Sequence, residues 1–382
     1  MADTTSRPSR PGRVQRLQQH LAAHDIDVAL VSGTGNVIHQ SGYERYYQGL
    51  AMVVVPAEGE PALIVSRDEV EAARETAFTT TVAGYGERGF GLNLDPEADL
   101  VKPLPEVVSR VLGGRAVRRV GLAGASQRAV EALSALGPVP EAVSLDAVLS
   151  GIREIKDPDE VEAIAHSYRL CLLAQDEVAK AARPGTTEIE LFSLAHHVAQ
   201  VAAGAPVPYV SDMLSGPNTA EVCCPIRVAG PRRLEEGDIV VADIAVAAHG
   251  YWGDTARTHA AGAMPADAQR QLAQLEEIKR QAAERLKPGA RGSDLFAWAR
   301  RTIESTFPGG EFPHHLGHAV GVTGFEDPHL IPADARELQE GMVIAIEPGV
   351  YFAGRYGLRT EDIYLVTAQG GRQLPTDVKA GD

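Results

Sequence analysis

The sequence predicts an α+β protein with two domains, an α/β domain at residues 1–150 and a second domain at residues 151–382. Three observations lead to this prediction. The chain has 382 residues, which is long for a single hydrophobic core. Strands alternate with helices over the first domain, as is typical of α/β proteins. Beyond Gly151, a pair of helices followed by strands occurs twice, which suggests a duplicated half.

The first domain is expected to begin with a helix at residues 12–24, where apolar residues recur at helical spacing. Apolar runs at residues 27–33, 51–57 and 61–66 predict three strands, the last two joined by the turn EGEP. A helix from Asp68 follows. The alternation continues through the segments TTTVAGY, VVSRVLGG, RRVGLAG and SQRAVEALSAL.

The second domain is expected to start with a short extended piece, IREIK, and a long helix that begins at Asp157. Asp159 and Glu160 in its first turn favour this start, because acidic side chains are stabilised at the positive end of the helix dipole. The later elements are the helix ELFSLAHHVAQVAAG, two strands joined by a turn at Gly250, the helices DAQRQLAQLEEIKRQAAERLKPG and SDLFAWARRTIES, and the strands VIAIEPGVYF and LRTEDIYLVT.

The composition is that of an ordinary globular protein, with 44% hydrophobic and 23% charged residues. A formal net charge of -15 disfavours nucleic acid or an anionic membrane as a partner. We expect no transmembrane helix and no secretory signal, because the chain has no long apolar run and its polar N-terminus has no apolar core. The three cysteines, an odd number, favour a reducing cytoplasm.

Two aspartates lie eleven residues apart in DIVVADIAVAAHGYWGDTART, Asp243 in one predicted strand and Asp254 in the next. A hairpin of this length can bring both carboxylates to one face and one level. Two carboxylates held together repel each other unless a proton or a cation lies between them. Solvating charges on an edge strand are the alternative, but Asp243 lies inside VVADIAV, a run too apolar for a free charge.

Two further acids and one histidine extend this pattern. Glu347 in IEPG and Glu361 in RTED each lie at or beside an apolar strand, and burial of an unpartnered carboxylate is costly. His318 lies in LGHAVG, between glycines that allow a ligand or another backbone to approach closely. Surface salt bridges for the glutamates and a core position for the histidine are the alternatives. If these acids converge, they require a cation.

Four carboxylates and one imidazole form a mostly oxygen ligand set, which suits Mn, Co, Fe or Zn in a two-metal site. Two ions about 3.5–4 Å apart can share a bridging water, lower its pKa and stabilise a tetrahedral intermediate. The reaction class that this set implies is hydrolysis of a C–N bond.

The order D-x10-D, HxxGH, EPG and RxED resembles the creatinase, prolidase and methionine-aminopeptidase metallohydrolases of the pita-bread fold. IREIKDPDEVEAI resembles that family's linker and first helix, and DIDVALVSGTGNVIHQSGY resembles the N-terminal domain of prolidases, aminopeptidases P and creatinase. The resemblance covers most of the chain. It implies a pita-bread catalytic domain preceded by a creatinase-type α/β domain, two divalent metal ions with Mn expected first, and a homodimer.

Position by position, the resemblance assigns the metal ligands to Asp243, Asp254, His318, Glu347 and Glu361. In this assignment Asp254 and Glu361 bridge both ions. Glu347 would also act as general base toward the bridging water, and His314 would contact the substrate or the intermediate. His315 falls where the family often has glycine, and it receives no role.

Other positions are expected to shape or support the site. Tyr351 and Arg359 match positions that form the substrate site in the prolidase branch. Thr255 and Arg257 are expected to support Asp254, as outer residues that fix ligand geometry do. Arg45, in SGYERYYQGL, could clamp a substrate carboxylate through two hydrogen bonds, and a surface arginine on a loop is the alternative.

Two positions depart from the family pattern. The segment after the central histidine usually ends in a histidine before an acid and a proline, where GVTGFEDP has Phe325. Upstream, SG-x-N is often followed by a histidine, where SGPNTAEVCCP has Cys223. Both replaced histidines normally face the substrate, so Phe325 and Cys223 are expected to line a less polar wall. Each lost donor could cost about a few kcal/mol of transition-state stabilisation.

Three functions are consistent with this resemblance. The first is a dinuclear metal-dependent hydrolase that cleaves the Xaa-Pro bond of dipeptides or short peptides through a metal-bridging hydroxide. The second is a pita-bread hydrolase of a small non-peptide C–N bond, similar to creatinase or ectoine hydrolase, which the replacements at Cys223 and Phe325 would favour. The third is a binding protein without catalysis, although such relatives usually lack metal ligands.

Overall fold

The computed structural model describes residues 12–44, 49–87, 89, 94–221 and 228–375. The chain forms two compact units, the first ending at Arg153 and the second starting at Glu154. The expected boundary at Gly151 lies inside a helix that runs from Asp146 to Glu154. The prediction that IREIK is extended was therefore wrong for its first residues, which continue this amphipathic helix and bury Ile152. Within the described residues, no helix is long and apolar enough to cross a membrane.

The first unit is built around one mixed sheet. Its helices are α1 (Gly12–Ala23), α2 (Thr34–Ser41), α3 (Val70–Thr76), α4 (Pro96–Val101), α5 (Leu104–Val111), α6 (Gln127–Ala132) and α7 (Asp146–Glu154). Its strands are β1 (Val28–Ser32), β2 (Met52–Pro56), β3 (Ala62–Ser66), β4 (Thr81–Tyr85), β5 (Arg119–Ala123) and β6 (Glu141–Ser144), in the spatial order β4-β3-β2-β1-β5-β6. The three strands predicted from apolar runs are confirmed.

Both faces of this sheet are buried, which explains why its central strands are apolar at nearly every position. Ala29 and Val31 of β1 belong to one hydrophobic cluster, whereas Val28 and Leu30 belong to another. Successive side chains of a strand point to opposite faces, so each cluster collects alternate residues. The sheet therefore has a hydrophobic core on each side.

The second unit contains the predicted pairs of helices and strands. Its helices are α8 (Pro158–Ala181), α9 (Glu188–Ala203), α10 (Ala266–Glu284) and α11 (Gly292–Thr306). Its strands are β7 (Tyr209–Ser215), β8 (Ile239–Ala248), β9 (Tyr251–Ala260), β10 (Gly317–Ala319), β11 (Glu326–His329), β12 (Val343–Ile346), β13 (Gly349–Phe352), β14 (Tyr356–Arg359), β15 (Asp362–Thr367) and β16 (Gly370–Gln373). They form the sheets β7-β8-β9, β11-β10-β12-β15-β16 and β13-β14.

Two hydrophobic cores divide this unit, and each joins one helix pair to one sheet. The first core joins α8 and α9 to β8 through the even-numbered positions of the strand, including Ala242 and Ile244. The second joins α10 and α11 to the five-stranded sheet through Ala319, Ile344 and Ile346. The alternate side chains of β8, β10 and β12 therefore point away from the helices. This repeated arrangement agrees with the duplicated half that the sequence suggests.

Strand β9 packs closely against α8 at Gly253. A Cβ atom at this position would lie 2.2 Å from the backbone nitrogen of Tyr168 and 2.3 Å from the carbonyl carbon of Ser167. Backbone atoms cannot move aside as a flexible side chain can. Only glycine therefore fits beside the helix without displacing it.

We predict that Gly253→Ala lowers the free energy of unfolding of the second unit by about 1–3 kcal/mol, because the added methyl group overpacks the contact between strand and helix. Chemical denaturation measures this change. Gly230→Ala is the matched control, since its Cβ would meet its nearest neighbours at 3.8 and 3.9 Å, and it should change stability by less than about 0.5 kcal/mol. Equal stability of both variants would contradict the close packing at Gly253.

Candidate metal centre

The β8–β9 hairpin positions the two aspartates. Its loop consists of His249 and Gly250, which have φ angles of 53° and 75°. A two-residue loop with two positive φ angles is the turn that matches the twist of a hairpin. The tight connection fixes the register, in which Asp243 pairs with Ala256 and Ala245 pairs with Asp254.

Because of this register, both aspartates lie on the face of the hairpin that points away from α8 and α9. The sequence prediction of a common face is confirmed. The prediction of a common level was wrong, since Asp243 and Asp254 are diagonal neighbours whose residue pairs are separated by the pair Ile244–Thr255. Diagonal neighbours on one face remain close enough for their side chains to interact.

His318 lies on β10 of the five-stranded sheet. It pairs with Ala345 of β12, whereas the adjacent residue Ala319 pairs with Ile344, which faces the helices. His318 therefore projects from the opposite face of the sheet and is 1% exposed. Its Nδ1 lies 3.0 Å from the carbonyl oxygen of Ala319, which can only accept a hydrogen bond. Nδ1 carries the proton, and Nε2 presents a lone pair to the acids.

Both glutamates lie where the structure interrupts a run that the sequence predicts as one strand. Glu347 separates β12 from β13, and Glu361 separates β14 from β15. The amide of Glu347 donates to the carbonyl of Leu316 at 2.9 Å, and the amide of Glu361 donates to the carbonyl of Ala256 at 2.9 Å. These backbone bonds fix each glutamate beside a strand that carries another member of the site.

The structure brings the acids and the imidazole together. Asp254, His318 and Glu361 each offer a ligand atom within 4.8 Å of the others. The Nε2 atom of His318 lies 3.9 Å from Oδ2 of Asp254 and 3.4 Å from Oε1 of Glu347. Asp243 interacts electrostatically with the same group: burial is the main cause that raises its pKa, and the charge of Glu347 raises it further.

Burial of several carboxylates in one place opposes their ionisation. Burial and then the charges of Asp243 and Glu347 raise the pKa of Asp254 well above its usual range. Burial and then the charges of Asp254 and Asp243 raise the pKa of Glu361 in the same way. For Asp243, burial raises the pKa to about 6, although Arg359 acts in the opposite direction. Without positive charge from outside the chain, Asp254 and Glu361 favour their protonated forms.

Glu347 behaves differently from the other acids. Burial alone would raise its pKa, but the neighbouring imidazoles of His315, His318 and His314 lower the pKa well below the usual range. The closest of these is His315, whose Nε2 lies 2.6 Å from Oε1 of Glu347. Glu347 therefore favours its ionised form.

These residues fit divalent metal ions. The Oδ1 atom of Asp254 is buried and has no hydrogen-bond partner in the described part of the chain. A buried polar atom without a partner is costly unless something absent from the protein chain satisfies it. The donor set of carboxylate oxygens and one neutral imidazole nitrogen suits a transition-metal dication, which would also offset the repulsion between the acids.

A hydrogen-bond chain runs beside the acids. Arg359 donates from Nε to the hydroxyl of Tyr351 at 2.8 Å, and that hydroxyl lies 2.9 Å from Nε2 of His314. The Nδ1 atom of His314 donates to the carbonyl of His315 at 2.7 Å, so Nε2 is the acceptor. Burial and then the charge of Arg359 lower the pKa of His314 to about 3, which keeps its ring neutral.

Arg359 lies behind the acids and is 4% exposed. Its Nη1 atom is 2.5 Å from Oδ2 of Asp243 and 3.2 Å from Oδ2 of Asp212. Asp212 pairs with Asp243 across β7 and β8, so the two carboxylates share one face. The structure thus places Arg359, which the sequence assigns to the substrate, in contact with a predicted ligand.

The side chains of Thr255 and Arg257 support Glu361 and not Asp254. Thr255 donates to the carbonyl of Glu361 at 2.9 Å, and Arg257 donates to the same carbonyl at 2.5 Å. Arg257 also pairs with Asp362 at 2.5 Å. The expectation that they support Asp254 holds for the backbone of Thr255, whose hydrogen bond acts against the rise in the pKa of Asp254 that burial causes. It was wrong for the two side chains, because alternate residues of β9 point to opposite faces.

Phe325 lies next to His318 and is exposed. Its side chain is 62% exposed, and its ring centroid lies 4.3 Å from that of His318. Two other residues expected near the substrate, Arg45 and Cys223, lie outside the described residues. Asp212 and His315 also lie at this site, through their contacts with Arg359 and Glu347, and the sequence assigned a role to neither. The place of His315 inside HxxGH was the visible signal.

The chain resembles known peptidases over most of its length. A model of metallopeptidase family M24 matches residues 162–368, and a model of the creatinase/prolidase N-terminal domain matches residues 13–155. The probable dipeptidase PepE of Mycobacterium tuberculosis is 30% identical over 352 residues, which are 89% of this chain and 89% of the relative. The Xaa-Pro dipeptidase of Pyrococcus furiosus is 28% identical over 364 residues, 95% of this chain and 97% of the relative.

Solved structures agree with these matches. The prolidase of Pyrococcus horikoshii has a TM-score of 0.79 at 24% identity, covering 97% of this chain and 99% of its own. The prolidase of Pyrococcus furiosus has a TM-score of 0.75 at 26% identity, covering 95% and 100%. These matches confirm the predicted resemblance and the α+β fold, in which a creatinase-type N-terminal domain precedes a pita-bread catalytic domain.

We predict that Asp254→Asn abolishes stabilisation of the protein by divalent metal without destabilising the metal-free form. Asparagine retains the shape of the side chain and is neutral, like the protonated Asp254 that burial and the charges of Asp243 and Glu347 favour in the metal-free protein. Thermal unfolding with a chelator and with excess Mn²⁺ measures both effects.

The wild-type protein should melt higher with Mn²⁺, as a ligand that binds the native state requires. The Asp254→Asn variant should melt at the same temperature in both solutions. The exposed Glu284→Gln substitution is the control and should keep the wild-type response. An undiminished response to Mn²⁺ in Asp254→Asn would contradict the assignment of Asp254 as a ligand.

Proposed function

Because the chain belongs to metallopeptidase family M24 and is therefore a metallohydrolase, we propose that it cleaves the Xaa-Pro bond of dipeptides or short peptides. The relative from Pyrococcus furiosus is named as an Xaa-Pro dipeptidase, and the one from Mycobacterium tuberculosis as a probable dipeptidase. The observation that carries the proposal is the buried group of Asp254, His318 and Glu361, with Glu347 3.4 Å from His318.

The family uses divalent metal ions, and we propose that this chain binds two. The residues that would hold them are Asp243, Asp254, His318, Glu347 and Glu361. Divalent ions supply Lewis-acid polarisation of the scissile carbonyl and activation of water. We also propose that manganese is the preferred metal, that the protein forms a homodimer and that it is located in the cytoplasm.

Residues of the chain would then transfer the proton from the attacking water to the leaving group. Glu347 favours its ionised form, and His315 occupies its Oε1 atom at 2.6 Å. Oε2 is therefore the atom that would take a proton from the attacking water and pass it to the leaving nitrogen of proline. An imide nitrogen has no hydrogen of its own, so this delivery completes the leaving group.

The remaining residues would bind and orient the substrate. His314 is neutral and would contact the substrate through its ring, while Tyr351 and Arg359 would hold His314 and Asp243 in place. Phe325 would offer its exposed ring as an apolar surface for the pyrrolidine ring of the substrate. Cys223 and Arg45 remain proposed substrate contacts.

A small non-peptide C–N bond as the target is not favoured, because the relatives are named as dipeptidases or peptidases. A protein without catalysis is not favoured either, because the relatives are named as dipeptidases and Asp254, His318 and Glu361 lie together as a metal site requires.

We predict that the Mn²⁺-loaded enzyme cleaves Xaa-Pro dipeptides faster than matched Xaa-Ala dipeptides. We also predict that Glu347→Gln lowers kcat by about 10²–10⁴-fold, because the variant loses the carboxylate that carries the proton. A substrate panel with longer proline peptides and small guanidino compounds measures the specificity. Cleavage of guanidino compounds but of no proline peptide, by protein that contains metal, would contradict the proposal.

A further inference from the structure

The three histidines of HHLGH have different hydrogen-bond partners. His314 donates from Nδ1 to the carbonyl of His315 and accepts at Nε2 from the hydroxyl of Tyr351. His318 donates from Nδ1 to the carbonyl of Ala319. His315 instead directs Nε2 to a carboxylate, at 2.6 Å from Oε1 of Glu347.

This contact is a hydrogen bond of defined direction. A carboxylate oxygen only accepts, so Nε2 of His315 carries the proton. The distance of 2.6 Å is slightly shorter than the range of about 2.7–2.9 Å that is usual for a charge-assisted N–H···O bond. Among the three imidazoles, His315 is the one that lies closest to Glu347, since the rings of His318 and His314 approach at 3.4 and 4.0 Å.

The surroundings of His315 hold the ring in this position. Its centroid lies 5.3 Å from that of His318 and 5.8 Å from that of Phe325. The side chain is 23% exposed, so it borders the open side of the site while its Nε2 faces inward. A ring packed between two others loses little conformational entropy when it forms one further hydrogen bond.

We propose that His315 is a positioning residue that holds Glu347 by donating from Nε2 to Oε1. This inference rests on the metal centre and on the role of Glu347 proposed above. The bond fixes the rotation of the carboxylate group about its last torsion, which otherwise has no strong preference. Oε2 is thereby directed to the reacting water, and the carboxylate keeps a constant orientation toward the bound ions.

The test compares His315→Ala with His315→Gln. The alanine variant removes the donor, whereas glutamine carries an amide nitrogen at nearly the distance of Nε2 and can restore the bond. His197→Gln, on the exposed side of α9, is the control. His315→Leu keeps much of the ring volume and replaces the alanine variant if that variant does not fold.

Two quantities are measured, the affinity of the metal-free protein for Mn²⁺ by titration calorimetry and the separate values of kcat and KM with an Xaa-Pro dipeptide. We expect His315→Ala to weaken Mn²⁺ binding about 10- to 100-fold, as loss of a residue that orients a ligand does. We also expect kcat to fall with KM nearly unchanged, because the interaction serves the reacting carboxylate. His315→Gln should recover most of both losses.

Each outcome has a clear meaning. Wild-type affinity in His315→Ala would overturn the inference and leave the metal centre intact. Equal losses in the alanine and glutamine variants would also overturn it, because an imidazole that binds metal directly cannot be replaced by an amide. Failure of the wild-type protein to bind Mn²⁺ would overturn the proposed metal centre itself, and the role of His315 with it.

Discussion

The structure of the second unit depends on one constraint, the repulsion between carboxylates that the fold buries together. Water does not screen these charges, and burial raises the pKa of Asp254 and Glu361 well above their usual range. Arg359 offsets part of the charge of Asp243. Burial raises the pKa of Glu347, but the neighbouring imidazoles lower it and so favour the ionised carboxylate. The remaining charge, together with Oδ1 of Asp254, which has no hydrogen-bond partner among the described residues, makes a bound cation the simplest source of stability.

The fold meets this constraint by separating apolar from polar side chains along single strands. In β8 the even-numbered residues pack on α8 and α9, so Asp243 faces the site. In β10 the same alternation directs Ala319 to the helices and His318 to the acids. The two glutamates lie at breaks between strands, where the chain leaves the sheet and can aim a carboxylate inward. The amides of the two glutamates donate to the carbonyls of Leu316 and Ala256, and the hydroxyl of Thr255 donates to the carbonyl of Glu361. These hydrogen bonds fix the two breaks.

Much of this arrangement could be predicted from sequence, because it rests on local patterns. The separation of eleven residues and the turn at Gly250 predict the shared face of Asp243 and Asp254. Their diagonal offset follows from the register and could not be predicted from spacing alone. The partners of Thr255 and Arg257 and the contact between His315 and Glu347 join segments that are distant in sequence. Such contacts depend on how the sheets of this unit pack against each other, and no local sequence pattern predicts that packing.

Anomalous diffraction from crystals grown with Mn²⁺ tests the central claim most directly. We expect two anomalous peaks about 3.5–4 Å apart, as in sites where two ions share ligands. Both peaks should lie within coordination distance of Asp254 and Glu361, and one should lie beside Nε2 of His318. Density for no ion in this group of side chains, or for ions held only by other residues, would contradict the account.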